Sequence, residues 1–317
     1  MGSQAGVAAP VAAHRRHRER TAWIIAAVFL LATIAAGSAY WMKATAPKPV
    51  VRSAILLPDK VNFTMMGRNG APAISPDGTK IAFVATHDGQ RSIWLRDLSS
   101  SEAKPLSATE DAYAPFWSPD GRYLAYFGQQ KLKKIAINGG APEILCDAED
   151  ARGGSWGSKD IILFAATRFS PILAVPANGG NPIAATELGQ MLSHRWPHFL
   201  PDGDHFLYVG TPTGSASPDS RVMLGSLKDK HQKMIQDSAY NVEYSEGKLF
   251  FPRDGTLNVQ PFDAKTGELS GEAVPIATDV QMDALFSHAL FSVSPQRHAR
   301  VCAGFRFGIG GSDVVRP

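Results

Sequence analysis

One short phrase recurs along the chain and limits the folds open to it: Ala73-Ile74-Ser75-Pro76-Asp77-Gly78, Phe116-Trp117-Ser118-Pro119-Asp120-Gly121 and His198-Phe199-Leu200-Pro201-Asp202-Gly203. A degenerate copy, Ser155-Trp156-Gly157-Ser158-Lys159-Asp160, lies between the second and third. With Ile74, Trp117, Trp156 and Phe199 taken as equivalent, the spacings are 43, 39 and 43 residues. A fifth unit follows near Tyr244-Ser245-Glu246-Gly247, and a sixth opens at Val293-Ser294-Pro295. In each full unit a short strand runs into a Pro-Asp-Gly turn, where Pro presets φ and Gly accepts a positive φ. An apolar strand comes next, such as Ile81-Ala82-Phe83-Val84-Ala85 or Ile161-Ile162-Leu163-Phe164-Ala165. A third, partly alternating strand follows, and an Asn-Gly-Gly turn at 138–140 and 178–180 leads to a weak fourth. Four strands in about 40 to 45 residues form a β-propeller blade. The spacing therefore predicts an all-β propeller over residues 53–295, with five clear blades and a partial sixth.

Residues 21–42 contain no charge and 18 apolar positions, and they follow the cluster His14-Arg15-Arg16-His17-Arg18-Glu19-Arg20. This pattern predicts a basic cytoplasmic tail over 1–20, a transmembrane signal anchor over 21–42 and a stiff linker over 43–52. It makes the bilayer a partner of 21–42 and places the chain in a bacterial inner membrane, single-pass, with the propeller in the periplasm. Ala44-Thr45-Ala46 has the form of a signal-peptidase site, but the apolar run exceeds a signal peptide's core and Pro47 follows the cut.

Charge and cysteine content remove other classes. Seven of the 32 Lys/Arg precede Ser53, and the remainder carries 25 bases against 28 acids, which is no footprint for nucleic acid. Cys146 and Cys302 alone build neither a disulfide framework nor a Cys-rich zinc site.

The Ser-Pro-Asp-Gly units resemble TolB-like, WD-like propeller repeats of bacterial envelope proteins. The apolar segment together with Ser-His-Arg-Trp-Pro-His-Phe-Leu-Pro-Asp-Gly (193–203) and Leu-Lys-Lys-Ile (132–135) is similar to the extracytoplasmic propeller of some bacterial transmembrane serine/threonine kinases. No Gly-rich phosphate loop, His-Arg-Asp or Asp-Phe-Gly stands before that segment, so kinase activity has no residues to carry it.

Three motifs suggest chemistry and fail on context. Gly153-Gly154-Ser155-Trp156-Gly157 matches G-x-S-x-G, yet a strand follows where a nucleophile elbow needs a helix. His194 and His198 flank Pro197 in an extended segment, about 13 Å apart, too far to share an ion. Asp77, Asp120 and Asp202 sit in turns of separate blades and bond their own backbone. No catalytic residue, metal or cofactor is expected. Asn62-Phe63-Thr64 fits a glycosylation sequon, relevant only to a eukaryotic secretory pathway.

By analogy with WD-type blades, the loops leading into the innermost strands open around the central channel. Asp111, Tyr113, Arg152, His194, Arg195, Tyr240 and Asn241 then form a mouth for a protein, peptide or small ligand. The function expected is non-catalytic binding or sensing. A propeller-fold lyase or lactonase and an envelope scaffold subunit are the alternatives. After Pro295, residues 296–317 lack the Asp-Gly turn and read as an atypical, truncated terminus with little order, while 53–66 are expected to lend a strand to the last blade.

Overall fold

The computed structural model describes Gly2, residues 23–34, 37–38, 61–63, 67–295, 300–305 and 312–315. The chain divides into a unit of residues 1–49 and a unit of residues 50–317.

The second unit is an all-β propeller with five four-stranded blades and a three-stranded sixth sheet. Blade 1 comprises Ala73–Ile74, Lys80–His87, Gln90–Asp97 and Ala103–Pro105, and blade 2 comprises Tyr113–Trp117, Tyr123–Gly128, Lys131–Ala136 and Glu143–Asp147. Blade 3 comprises Gly154–Trp156, Ile161–Ala165, Ile172–Pro176 and Ile183–Ala184. Blade 4 comprises Ser193–Phe199, His205–Thr211, Arg221–Ser226 and Gln232–Asp237, and blade 5 comprises Glu243–Ser245, Lys248–Arg253, Thr256–Asp263 and Val274–Ala277. Phe291–Val293, Val301–Phe305 and Ser312–Val315 form blade 6. Every pairing within a blade is antiparallel, as short turns require.

The near-continuous apolar second strands are explained by burial on both faces, one against each neighbouring blade. Ile81, Phe83 and Ala85 pack with Leu290 and Cys302 of blade 6, whereas Ala82 packs with Leu124 and Tyr126 of blade 2. Ala125 and Phe127 turn to Ile162 and Phe164 of blade 3; Leu163 and Ala165 turn to Phe206 and Tyr208 of blade 4. Leu207 meets Leu249 and Phe251 of blade 5, and Phe250 meets Phe291 and Val301 of blade 6. Six core clusters thus fill six interfaces, and the cluster joining blade 6 to blade 1 closes the ring.

The Pro-Asp-Gly turns are held locally. Asp77 Oδ1 accepts from Thr79 N at 2.9 Å and from Ser75 Oγ at 2.6 Å, while Ser75 Oγ accepts from Lys80 N at 2.8 Å. Ser118 and Asp120 repeat this arrangement with Tyr123 N at 2.9 Å and Arg122 N at 3.0 Å. Gly78 and Gly121 hold φ of 68° and 70°, which a Cβ would strain.

Three expectations are corrected. Among the described residues no helix is long and apolar enough to cross a membrane. Helix is described at residues 23–34 and 37–38. The transmembrane anchor over 21–42, the bilayer as its partner and the single-pass inner-membrane placement with a periplasmic propeller therefore do not stand. Residues 21–22, 35–36 and 39–42, the linker 43–52 and all of the tail 1–20 except Gly2 lie outside the described residues.

Val61–Phe63 pairs with Lys80–His87, extending the inner edge of blade 1 instead of joining blade 6. Strand pairing also continues past 296, because Val301, Cys302 and Ala303 are fully buried between blades 5 and 1. Flanking Arg and His residues hide that short apolar run in the sequence.

Candidate functional site

The innermost strands of all six blades enclose a channel of about 610 Å³. Its wall carries Phe116, Trp117, Trp156, Phe199 and Tyr244, one or two aromatic residues from each of blades 2 to 5. At one level the blades are stitched by side chains that accept a main-chain N–H of the next blade. Ser155 Oγ accepts from Phe199 N at 3.0 Å, His198 Nε2 from Tyr244 N at 3.2 Å, Glu243 Oε2 from Val293 N at 2.6 Å and Ser292 Oγ from Ile74 N at 3.3 Å. Between blades 1 and 2 the direction reverses, and Trp117 Nε1 donates to Ala73 O at 2.8 Å. Burial lowers His198 to about 4, opposed by the Tyr244 carbonyl 3.3 Å from the same Nε2. Burial likewise raises Glu243 to about 8, the Val293 N–H opposing the shift.

These acceptors occupy one repeat position, immediately before Trp156, Phe199, Tyr244 and Val293. The sequence reading considered Ser155 and His198 only as a nucleophile and a metal ligand and passed over Glu243. The repeat alignment held the signal, since the preceding position is polar in blades 3 to 6.

The two ends of the channel differ. At the turn end its lining includes the exposed Pro119, Ser158, Pro201, Glu246 and Pro295 beside the buried Pro76, Gly157 and Leu200. At the opposite end the lining residues Gly70, Ala114, Gly153, Trp196, Asn241 and His288 are all buried. The channel is thus a pit that opens on the Pro-Asp-Gly turns.

The closed end lies beneath a hairpin of Met282–Asp283 and His288–Ala289. Trp196 Nε1 donates to Phe286 O at 2.8 Å, and the Trp196 ring stacks on His288 with centroids 4.0 Å apart. Arg195, 0% exposed, donates to Leu285 O and Ser287 Oγ of the hairpin, to Arg168 O, to Ser193 Oγ and to Gly214 O. Burial, with help from Arg152 and Arg168, pulls Arg195 down to about 10. Asp283 accepts from Gly67, Leu285 and Phe286 N–H groups, fixing the hairpin to the segment before blade 1.

The structure distributes the residues expected at the mouth as follows. Arg152 and Arg195 come together under the hairpin, Arg152 bound through both terminal nitrogens to Asp150 and lying 4.6 Å from the Phe286 ring. Tyr113 is buried beside them, its hydroxyl accepting from Ala151 N at 3.3 Å and Arg68 over its ring at 5.3 Å. Asn241 reaches the channel, with Oδ1 accepting from Ala289 N at 2.6 Å. His194 points instead into the core between blades 3 and 4, bonded to Thr186 Oγ1 at 2.8 Å, and burial lowers it to about 4. Tyr240 packs on the core between blades 5 and 6, and Asp111 stands exposed at the rim beside Arg91. His194 and His198 serve different blade interfaces. Among the described residues no three His, Cys, Asp or Glu side chains are grouped to hold a metal ion.

Known proteins resemble this chain at the level of the fold. No family model matches it. A 94-residue stretch is 35% identical to the Tol-Pal system protein TolB of Hydrogenovibrio crunogenus, covering 28% of this chain and 22% of that protein. The TolB of Alcanivorax borkumensis is 42% identical over 57 residues, 17% of this chain and 13% of that protein. The chain therefore aligns with less than a quarter of the length of these curated relatives. Among solved structures, TolB from Acinetobacter baumannii superposes with a TM-score of 0.54 at 15% identity over 66% of this chain and 54% of its own. A putative TolB from Agrobacterium tumefaciens gives 0.53 at 18% identity over 78% and 90%. An oligogalacturonate lyase in complex with manganese gives 0.50 at 13% identity over 85% and 96%. The domain is a TolB-like β-propeller.

Proposed function

We propose that this propeller is a non-catalytic binding module that takes a segment of a protein partner, a peptide or a small ligand into its channel from the turn end. One observation carries the reading: a single-ended channel walled by aromatic and proline side chains with a few polar groups deep inside, the composition of a recognition pocket. The short stretch shared with proteins named for the Tol-Pal system supports a protein partner.

Peptides selected by display against the folded protein test this. Ser158→Trp, which narrows the open end, is expected to weaken the selected peptides at least tenfold, and Asp111→Ala at the opposite rim to leave them unchanged. Peptides indifferent to Ser158→Trp but lost with Asp111→Ala would overturn the reading. The likeness to a lyase supports an alternative with turnover, and release of product from an oligouronide by the wild-type protein would favour it.

A further inference from the structure

Resting on that reading of the channel, we propose that its closed end is a receptor for a carboxylate carried by the leading end of the ligand, formed by Asn241 and His288 with Trp196 as the flat wall beside them. Both polar side chains line the channel and are 5% exposed. Asn241 Oδ1 is committed to the Ala289 N–H, which leaves the Nδ2 amide as a donor. His288 has no hydrogen-bond partner at Nδ1, although that atom is fully buried. Buried polar atoms without partners are uncommon in native proteins, and this one belongs to a residue that lines the closed end of the channel. A neutral imidazole supplies one N–H, so Asn241 and His288 together bring two donors to that end, and the two oxygens of a carboxylate accept two.

A carboxamide would also satisfy two groups, and the charge behind the hairpin separates the two chemistries. Arg195 donates to Ser287 Oγ, one residue from His288, and makes no bond to a carboxylate. Arg152 lies against Phe286, two residues from His288; Arg168 shares Gly214 O with Arg195, and Arg68 covers Tyr113. The acids in this network are Asp150, bound by Arg152, and Asp283, which caps backbone N–H groups. Of these arginines Arg152 and Arg195 are buried, Arg168 is half-buried and Arg68 is exposed, and their excess over the two carboxylates favours an anion over its neutral isostere. At the open end, Glu246 carries the opposite sign. A segment threaded acid first is therefore drawn to the bottom of the pit.

The test uses matched pairs on the whole protein: phenylacetate against phenylacetamide, and the tripeptide Gly-Pro-Phe with a free against an amidated C-terminus. The first pair reports a small carboxylate and the second a chain terminus, with His288 and Trp156 followed by NMR. The expected result is at least tenfold tighter binding of the acid in one or both pairs, with shifts at both residues. His288→Phe keeps the stack on Trp196, and it is expected to erase the acid preference. Equal binding of acid and amide with shifts at Trp156 would overturn the carboxylate receptor and leave the channel reading standing. An acid preference that survives His288→Phe would also overturn it. Absence of any shift at Trp156 with all four probes would count against the channel reading as well.

Discussion

The two ends of the channel are built from the same six inner strands, yet they are held by opposite means. At the turn end the bonds of blade 2 are local, with Ser118, Asp120 and Arg122 bonding across two to five residues of one chain segment, and only Ser245 of blade 5 is described reaching the next blade, at Ser294 O. At the closed end Arg195 reaches residues 90 and 92 positions away, and Trp196 reaches 90. A local turn forms wherever its four residues occur and leaves the opening clear. A cap of distant segments forms only after the ring has closed, and it converts a tunnel into a pit. The proposed recognition at the end that the repeat leaves open rests on this difference.

The sharpest way to break this comparison is Arg195→Met. It strands several buried carbonyl and hydroxyl oxygens, and the expected loss is about 3 kcal/mol in urea denaturation. Hydrogen exchange should rise across 282–288 and remain unchanged at 75–80. A loss below about 1 kcal/mol with unaltered exchange would show that the cap does not depend on this guanidinium.

Gly153→Ala tests the same end from the side of blade 3. Its φ is +85°, and an added Cβ would lie 2.3 Å from the Trp196 ring, so about 2 kcal/mol of destabilisation is expected. Tryptophan fluorescence should report the displaced stack. An unchanged spectrum and stability would mean that Trp196 is free to move.

At the turn end the effects are smaller and repeat from blade to blade. Ser75→Ala and Ser118→Ala each remove an acceptor for a strand N–H, at about 1 kcal/mol apiece. Values that differ severalfold between the two would break the equivalence of the turns.

The smallest effects are in pH dependence, and the two regions have opposite signs. Glu243 is raised to about 8 inside the channel, so its contribution is fully present below the ordinary carboxylate value of 4.5 and is lost as pH rises through 8. Glu243→Gln should therefore flatten the fall in stability between about pH 4.5 and 8. For Asp120 slight burial pushes upward, but the Arg122 N–H and the Ser118 hydroxyl outweigh it and hold the carboxyl at about 2. Its contribution is present above 3.8 and lost as pH falls through 2, so Asp120→Asn should flatten only the acid side, by less than about 1 kcal/mol for so exposed a group. Thermal unfolding from pH 2 to 9 measures both, and a matching response of the two variants would contradict the assignment.

Much of the propeller was legible because each blade is specified within about 40 residues. The Pro-Asp-Gly turns, the apolar second strands and the number of blades all follow from local pattern. The closed end was not legible in that way. Arg152, Arg195 and Tyr113 were picked out by their places before the inner strands, but nothing local shows that the hairpin at 282–289 lies over them. Ser155, His198 and Glu243 resemble chemistry when taken singly and become blade-to-blade acceptors only when the repeats are aligned. The apolar run at 21–42 satisfied a composition rule, whereas no helix among the described residues is long and apolar enough to cross a membrane.

The sequence by itself determined the antiparallel four-stranded unit, its turns and its repetition along the chain. Short-range sterics and hydrogen bonds act over a few residues and do not depend on what lies across the molecule. Only the tertiary structure decided which end of the channel is open, where Val61–Phe63 pairs, and that Asn241 bonds the main chain beside His288 at the closed end. Those outcomes rest on contacts between segments about 20 to 90 residues apart, whose energies exist only once the ring has brought the segments together.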